Sequence, residues 1–292
     1  MTRRAREEAW LGYLLVGPSL LLFGLVYVYP VAYSAYVSLF AWDLVTPPRW
    51  VGLDNYRELA SAEFWEVVTN TAQYSAGVVG LCLVGGLVLA LALNDRSRVS
   101  ALLQAGIFSS YVVSWVAVSL LWIWMLDPQY GLVTYLLRLV GLRPVNWLGD
   151  PKIALWTLVL VTVWKTIGYP MVIYLAGLQS IPGDFYEAAA LDGAGPWQRF
   201  RFITWPLLTP TTLFLVVTLT IASFQGFDIV KIMTQGGPVT ATMIYVYYIY
   251  EQAFQYFKLG KASAAVVVFF ALILALTVLQ WRVFRRRIHY TT

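Results

Sequence analysis

Residues 187–206 read Glu-Ala-Ala-Ala-Leu-Asp-Gly-Ala-Gly-Pro-Trp-Gln-Arg-Phe-Arg-Phe-Ile-Thr-Trp-Pro, a polar island between two long apolar runs. The island carries start and stop signals for two short helices. Asp184 is placed to cap the first, with Glu187 three residues on as its reciprocal partner. Gly193 is placed to end that helix, because glycine enters the left-handed region without steric cost. Pro196 suits the first turn of a second helix, and Pro206 marks its end. The pattern predicts a compact helix–turn–helix between membrane spans.

Composition supports a membrane setting. Of 292 residues, 60% are hydrophobic and only 12% charged, against about 25% charged in average soluble domains. So little polar surface cannot cover a soluble monomer, and the lipid bilayer is the expected surrounding. The net charge of +5 does not point to nucleic acid. The basic residues gather in membrane-flanking segments, where the positive-inside rule accounts for them. Cys82 is the single cysteine, so no intramolecular disulfide forms. His289 is the single histidine and lies in the tail, which excludes a histidine triad or a His/Cys metal site. Arg3, Arg4 and Arg6 precede the apolar run Trp10–Tyr29; that run exceeds a signal-peptide core and reads as an uncleaved first span.

Six apolar runs reach the roughly 20 residues that a spanning helix needs. They lie near 11–39, 68–93, 103–126, 153–178, 208–232 and 262–284, within one transmembrane domain covering 1–292 and with the loop 179–207 between the fourth and fifth. Pro18 and Pro30 interrupt the first run and Pro170 the fourth, where kinks are expected. One side then receives eleven basic residues in short segments: Arg3, Arg4, Arg6, Arg96, Arg98, Arg199, Arg201, Arg282, Arg285, Arg286 and Arg287. The other receives eight (Arg49, Arg57, Arg138, Arg143, Lys152, Lys231, Lys258 and Lys261), spread over longer loops and offset by carboxylates. This density places both termini and the 179–207 loop in the cytoplasm. Outside, Asp54 is placed to cap a short helix through Leu59. A short amphipathic helix is expected around Leu132–Val140, and Thr234-Gln-Gly-Gly-Pro238 reads as a tight turn. Trp42, Trp50 and Trp65 fit an interfacial belt.

Polar groups at membrane depth face a cavity or a partner. Lys165 lies near the middle of the fourth span by helical rise. It suits a group facing an oxygen-rich or anionic cargo, and equally a structural lysine paired within the bundle or reaching toward an interface. Ser223-Phe224-Gln225-Gly226-Phe227-Asp228 alternates aromatic with hydrogen-bonding groups, a chemistry suited to sugars and also to plain aromatic packing. By rise alone Asp228 and Lys165 differ by roughly 15 Å in depth, so they pair directly only if the fifth helix breaks at Gly226. Tyr169, Tyr174 and Gln179 are further candidates on the fourth span.

The island also resembles the conserved cytoplasmic loop of ABC importer permeases: Glu-Ala-Ala, three residues, Gly, nine residues, Ile, one residue, Leu-Pro. Glu187, Ala188, Ala189, Gly193, Ile203 and Pro206 fall at those spacings; Trp205 departs from the usual Leu. Val51-Gly-Leu-Asp-Asn-Tyr56, Asn146-Trp-Leu-Gly-Asp-Pro151, Gly177-Leu-Gln-Ser-Ile-Pro182 and Gly236-Gly-Pro238 extend the resemblance over nearly the whole chain. They are similar to the carbohydrate-uptake group, of the maltose, trehalose or glycerol-3-phosphate first-permease type.

The resemblance implies an all-α integral membrane protein with six transmembrane helices, the type I ABC importer permease fold and a cytoplasmic coupling helix pair. It implies a bacterial or archaeal cytoplasmic membrane. The implied partners are a second homologous permease, two ATPase subunits and an extracytoplasmic substrate-binding protein. Glu187, Ala188, Ala189, Asp192, Gly193, Trp197, Arg199, Phe200, Arg201, Ile203 and Pro206 would dock the ATPase, with Trp197 and Phe200 as apolar knobs. The cargo path would draw on Lys165, Tyr169, Phe224, Gln225, Phe227 and Asp228. No Gly-x-x-x-x-Gly-Lys-Ser/Thr occurs, so no cofactor is expected on this chain and ATP hydrolysis falls to a partner. A permease for a non-sugar cargo, and a secondary transporter working without an ATPase, are the other readings. A membrane-embedded enzyme has no convergent catalytic constellation behind it.

Overall fold

The computed structural model describes residues 3–95 and 97–285, with side chains except at 3–9, 11 and 283–285. Arg96, Arg286, Arg287 and His289 lie outside the described residues, and Arg3, Arg4, Arg6 and Arg285 outside the described side chains.

Sixteen α-helices occur among the described residues: α1 Arg3–Phe23, α2 Tyr29–Val37, α3 Asp54–Leu59, α4 Ala62–Ala92, α5 Arg98–Val112, α6 Trp115–Met125, α7 Leu132–Leu139 and α8 Ala154–Thr166. They continue with α9 Gly168–Gln179, α10 Gly183–Leu191, α11 Pro196–Arg199, α12 Trp205–Leu207, α13 Thr209–Ser223, α14 Phe227–Met233, α15 Tyr245–Tyr250 and α16 Leu259–Arg285. Single π-turns fill Gly24–Val28, Phe200–Thr204 and Glu251–Gln255.

Among the described residues three helices are long and apolar enough to cross a bilayer unbroken: Gly12–Val37, Ala62–Ala92 and Leu259–Arg282. Three bent pairs bring the count to six: α5 with α6 at 101°, α8 with α9 at 47°, and Pro196–Leu207 with α13 at 61°. With each bent pair taken as one span the described residues hold six candidates, and the last pair begins at Pro196, ahead of the expected fifth run, taking in the second loop helix.

The bends have different causes. Pro170 lies in the first turn of α9 and cannot donate to the turn before it, which bends the fourth span. Pro30 and Pro206 each follow a π-turn. In the second case the Trp205 N–H donates to the Phe200 carbonyl five residues back, and the helix runs on to Leu207. The second loop helix thus ends at Leu207, one residue past Pro206, because the wider turn accommodates the missing donor. The expected fifth span over 208–232 stops at Ser223 and resumes as the separate helix α14, with Gly226 at the junction. The third span breaks at Val113–Ser114, both in extended conformation, with neither glycine nor proline there.

Tertiary contacts divide the chain into two units, Met1–Phe64 with Ile249–Leu272, and Trp65–Tyr248 with Ile273–Thr292. In the first, two short antiparallel strands pair Phe40 with Trp50 and Ala41 with Arg49. The buried Asn55 side chain donates to the carbonyls of Ser38 and Phe40 at 2.7 and 2.9 Å. The Leu259 N–H donates to the Trp42 carbonyl at 2.9 Å, fixing the start of α16 against this loop. Helix α3 begins at Asp54, which makes no capping bond and instead accepts from Arg57 at 2.8 Å, so the expected cap is displaced into the first turn.

In the second unit, Leu158, Val159 and Val161 of α8 are buried. Around them, polar side chains join helices in pairs: Tyr74 with Thr162 at 2.8 Å, Ser75 with Ser223 at 2.6 Å, and Tyr174 to Thr212 at 3.3 Å. In lipid such bonds replace water and are worth about 0.6 kcal/mol each.

Candidate functional site: the loop helix pair and the broken spans

The helix pair at 183–207 is built mainly by local rules. Helix α10 starts at Gly183 behind Pro182, and Asp184 sits in its first turn without a capping bond. The predicted Asp184 cap is thus corrected: Pro182 takes the cap position two residues earlier, and the acidic side chain only complements the positive helix end. The far end is as expected. Gly193 has φ +74. The Ala194 N–H donates to the Ala189 carbonyl at 2.8 Å and the Gly193 N–H to the Ala190 carbonyl at 3.1 Å. These two bonds define a Schellman motif, which satisfies the last carbonyls of α10.

Helix α11 starts with Pro196 at its first position, and the Gln198 side chain accepts from the Gly195 N–H at 2.8 Å. Two further bonds lock the pair. Arg199 Nε donates to the Ala194 carbonyl at 2.8 Å, and the Tyr186 and Thr204 hydroxyls meet at 2.9 Å. Trp197 and Phe200 stack at 5.6 Å, and Trp205 approaches Phe200 at 6.4 Å. Trp205 thereby occupies the family's Leu position as part of an aromatic row.

Glu187, Ala188, Asp192, Gly193, Arg201 and Pro206 are exposed; Ala189, Arg199, Phe200 and Ile203 are half-buried. The outward apolar side chains are Trp197 at 71%, Phe202 at 74% and Leu191 at 90% exposure. Leu191 and Phe202 escaped the sequence reading. The usable signal was a charged neighbour: Leu191 directly precedes Asp192, and Phe202 directly follows Arg201.

The membrane-depth residues divide into two groups. Lys165 is buried, at 3% exposure. Its Nζ donates to the Tyr111 carbonyl at 2.8 Å and lies 3.5 Å from that of Ser110. The Trp115 and Tyr111 rings stand 4.7 and 5.6 Å from it. Tyr169 stacks on Tyr111 at 5.4 Å. The second group surrounds the fifth-span break: Phe224 is buried, Gln225 and Asp228 are exposed, and Phe227 is half-buried with its ring 6.0 Å from Tyr247. The helix does break at Gly226, the condition under which the two charges could meet, yet no ion pair joins Lys165 to Asp228. Tyr174 is buried against Thr212, and Gln179 is exposed.

Residues 83–290 match the family described as binding-protein-dependent transport system inner membrane component. The chain is 37% identical over 286 residues to the trehalose/maltose transport system permease protein MalF of Thermococcus litoralis, covering 96% of each chain. It is 36% identical over 285 residues to the sn-glycerol-3-phosphate transport system permease protein UgpA of Yersinia pestis bv. Antiqua, covering 97% of this chain and 96% of that one. In fold it resembles a chain of a bacterial ABC transporter involved in the import of the acidic polysaccharide alginate. There the TM-score is 0.84 and the identity 25%, over 97% of this chain and 98% of that one. With its six candidate spans and its interrupting loop, this chain belongs to the binding-protein-dependent transport system inner membrane components, the permeases of ABC importers.

Proposed function

We propose that this permease carries a sugar or sugar-like solute, a mono- or oligosaccharide or glycerol-3-phosphate, and forms half of the translocation pathway as a single transmembrane domain. The relatives named for trehalose/maltose, glycerol-3-phosphate and alginate transport support this cargo class. The partners are a second homologous permease, two ATPase subunits and an extracytoplasmic substrate-binding protein. Nucleotide chemistry belongs to the ATPase subunits, and this chain needs no cofactor or metal. Both termini and the helix pair face the cytoplasm.

One observation carries the coupling assignment. The helix pair is closed on itself by the Schellman motif, the Arg199 bond and the Tyr186–Thr204 bond, while Leu191, Trp197 and Phe202 project outward. A rigid body with exposed apolar knobs fits a cleft and transmits its movement, and buried aromatic anchors dominate such contacts. It continues through the π-turn and the 61° bend into α13, so a displacement at the loop reaches the fifth span without an intervening flexible linker. Gln225, Phe227 and Asp228, at the broken outer part of that span, with Tyr169, are the side chains proposed for the pathway beside Phe224.

Purification of the chain in mild detergent, with mass spectrometry of the proteins that accompany it, tests the proposal. Recovery of a second permease and an ATPase is the expected result, and the ligand of an associated binding protein then identifies the cargo. Transport by this chain alone in proteoliposomes would overturn it in favour of a secondary transporter.

A further inference from the structure

The third span breaks where its sequence gives no local reason to break, and the break needs a partner. Helix α5 ends at Val112, and α6 starts at Trp115 in a direction 101° away. The last four carbonyls of any helix lack intrahelical donors, and at membrane depth no water replaces them. For α5 these are the carbonyls of residues 109–112. The fourth span ends its first half at Thr166, where the Ile167 N–H still donates to the Val163 carbonyl, so the carbonyls of 164–166 lie at another helix end.

These two helix ends meet. Lys165 Nζ donates to the Tyr111 carbonyl at 2.8 Å and lies 3.5 Å from the Ser110 carbonyl, both on the last turn of α5. In return the Ser110 hydroxyl lies 3.2 and 3.3 Å from the carbonyls of Lys165 and Trp164, on the last turn of α8, as well as 2.9 Å from Ile107 of its own helix. Trp115, the first residue beyond the break, presents its ring to the same ammonium at 4.7 Å. The backbones approach closely enough to permit this. A Cβ built on Gly168 would stand 2.7 Å from Phe108 Cα and 2.8 Å from the Ile107 carbonyl.

From this geometry we infer that Lys165 is a positioning residue. It caps the C-terminal end of α5 in trans, while the Ser110 hydroxyl, bonded first to Ile107 of its own turn, lies against the end of α8, so the broken third and fourth spans form one clasped body. A cation at a helix C-terminus is favoured by the carbonyl dipoles. Two ring faces replace part of its hydration. With its donors turned onto backbone carbonyls, its role is to hold the break rather than to meet cargo.

The test uses the assembled importer in nanodiscs, with Cys82→Ser and spin labels at the exposed positions Leu102 on α5 and Leu120 on α6. Double electron–electron resonance reads the distance across the break. The unsubstituted Lys165 and Lys165→Arg, which keeps the charge and donors, are expected to give one narrow distribution. Lys165→Met is expected to broaden and lengthen it and to lower ATP hydrolysis by the complex by about tenfold, the scale of one lost charged hydrogen bond. A native distribution in Lys165→Met overturns the inference. If hydrolysis falls while the distance stays native, Lys165 acts in the pathway instead. Should Lys165→Met fail to accumulate, Lys165→Gln takes its place, and a native distribution there is equally fatal. Only the hydrolysis arm rests on the importer reading; the distance arm stands without it.

Discussion

The loop helix pair and the break in the third span are both sharp changes of chain direction, reached by opposite routes. The turn between α10 and α11 is specified within a dozen residues. Gly193 takes the left-handed conformation, Pro196 starts the next helix, and Gln198 and Arg199 bond to backbone groups three and five residues away. The break at Val113–Ser114 has no such code. It stands beside a lysine more than 50 residues further on, which occupies carbonyls that the chain has turned away from its own amides. Locally coded turns are satisfied in water, whereas a break at membrane depth must find its donors on another span.

Substitutions separate the two routes, beginning with the largest effect. Gly168→Val would drive a branched side chain into the α5 backbone at Phe108 and Ile107. Because the obstacle is backbone and not a mobile side chain, a loss of about 3 kcal/mol is expected, at the upper end for overpacking. The protein should be nearly absent from membranes by immunoblot. Normal accumulation would mean that α5 and α9 can part, and that the clasp is loose.

Gly193→Asp acts on the locally coded turn. The left-handed conformation costs a non-glycine residue about 1–2 kcal/mol, confined to an exposed loop. Normal accumulation and ATP hydrolysis are expected, with uptake lost because the lever is misdirected. Uptake at the usual rate would contradict a coupling role for the turn.

Ser110→Ala removes one side of the clasp and leaves Lys165 in place. An interhelical bond in a bilayer is worth about 0.6 kcal/mol, so a small fall in thermal stability in detergent is expected. A fall as large as that of Gly168→Val would show that Ser110, not Lys165, dominates the break.

Asp54→Ala is the control. Its partner Arg57 is 80% exposed and Asp54 58%, and surface pairs at this spacing contribute little. Accumulation and melting temperature should not change measurably. A clear loss would give helix α3 a docking role that its local bonds do not explain.

The island's punctuation was legible because glycine and proline act through their own backbone geometry. At Pro206 an inserted π-turn absorbed the missing donor, and the helix ended one residue later at Leu207. Cap reasoning failed at Asp184 and Asp54, where the helices began one residue before or at the expected cap. Leu191 and Phe202 were missed because apolar residues in a membrane protein carry no label saying which of them point to water.

By itself the sequence marked six candidate spans and the loop that interrupts them, and it carried the resemblance to the family. The spans follow from hydropathy over about 20 residues, and the loop from glycine and proline at fixed offsets. The tertiary structure decided where the spans bend and what a buried charge does there. The 101° break of the third span and the position of Lys165 at the end of α5 depend on which carbonyls lack donors. That is settled only when two helices distant in sequence lie side by side in a medium without water to satisfy them.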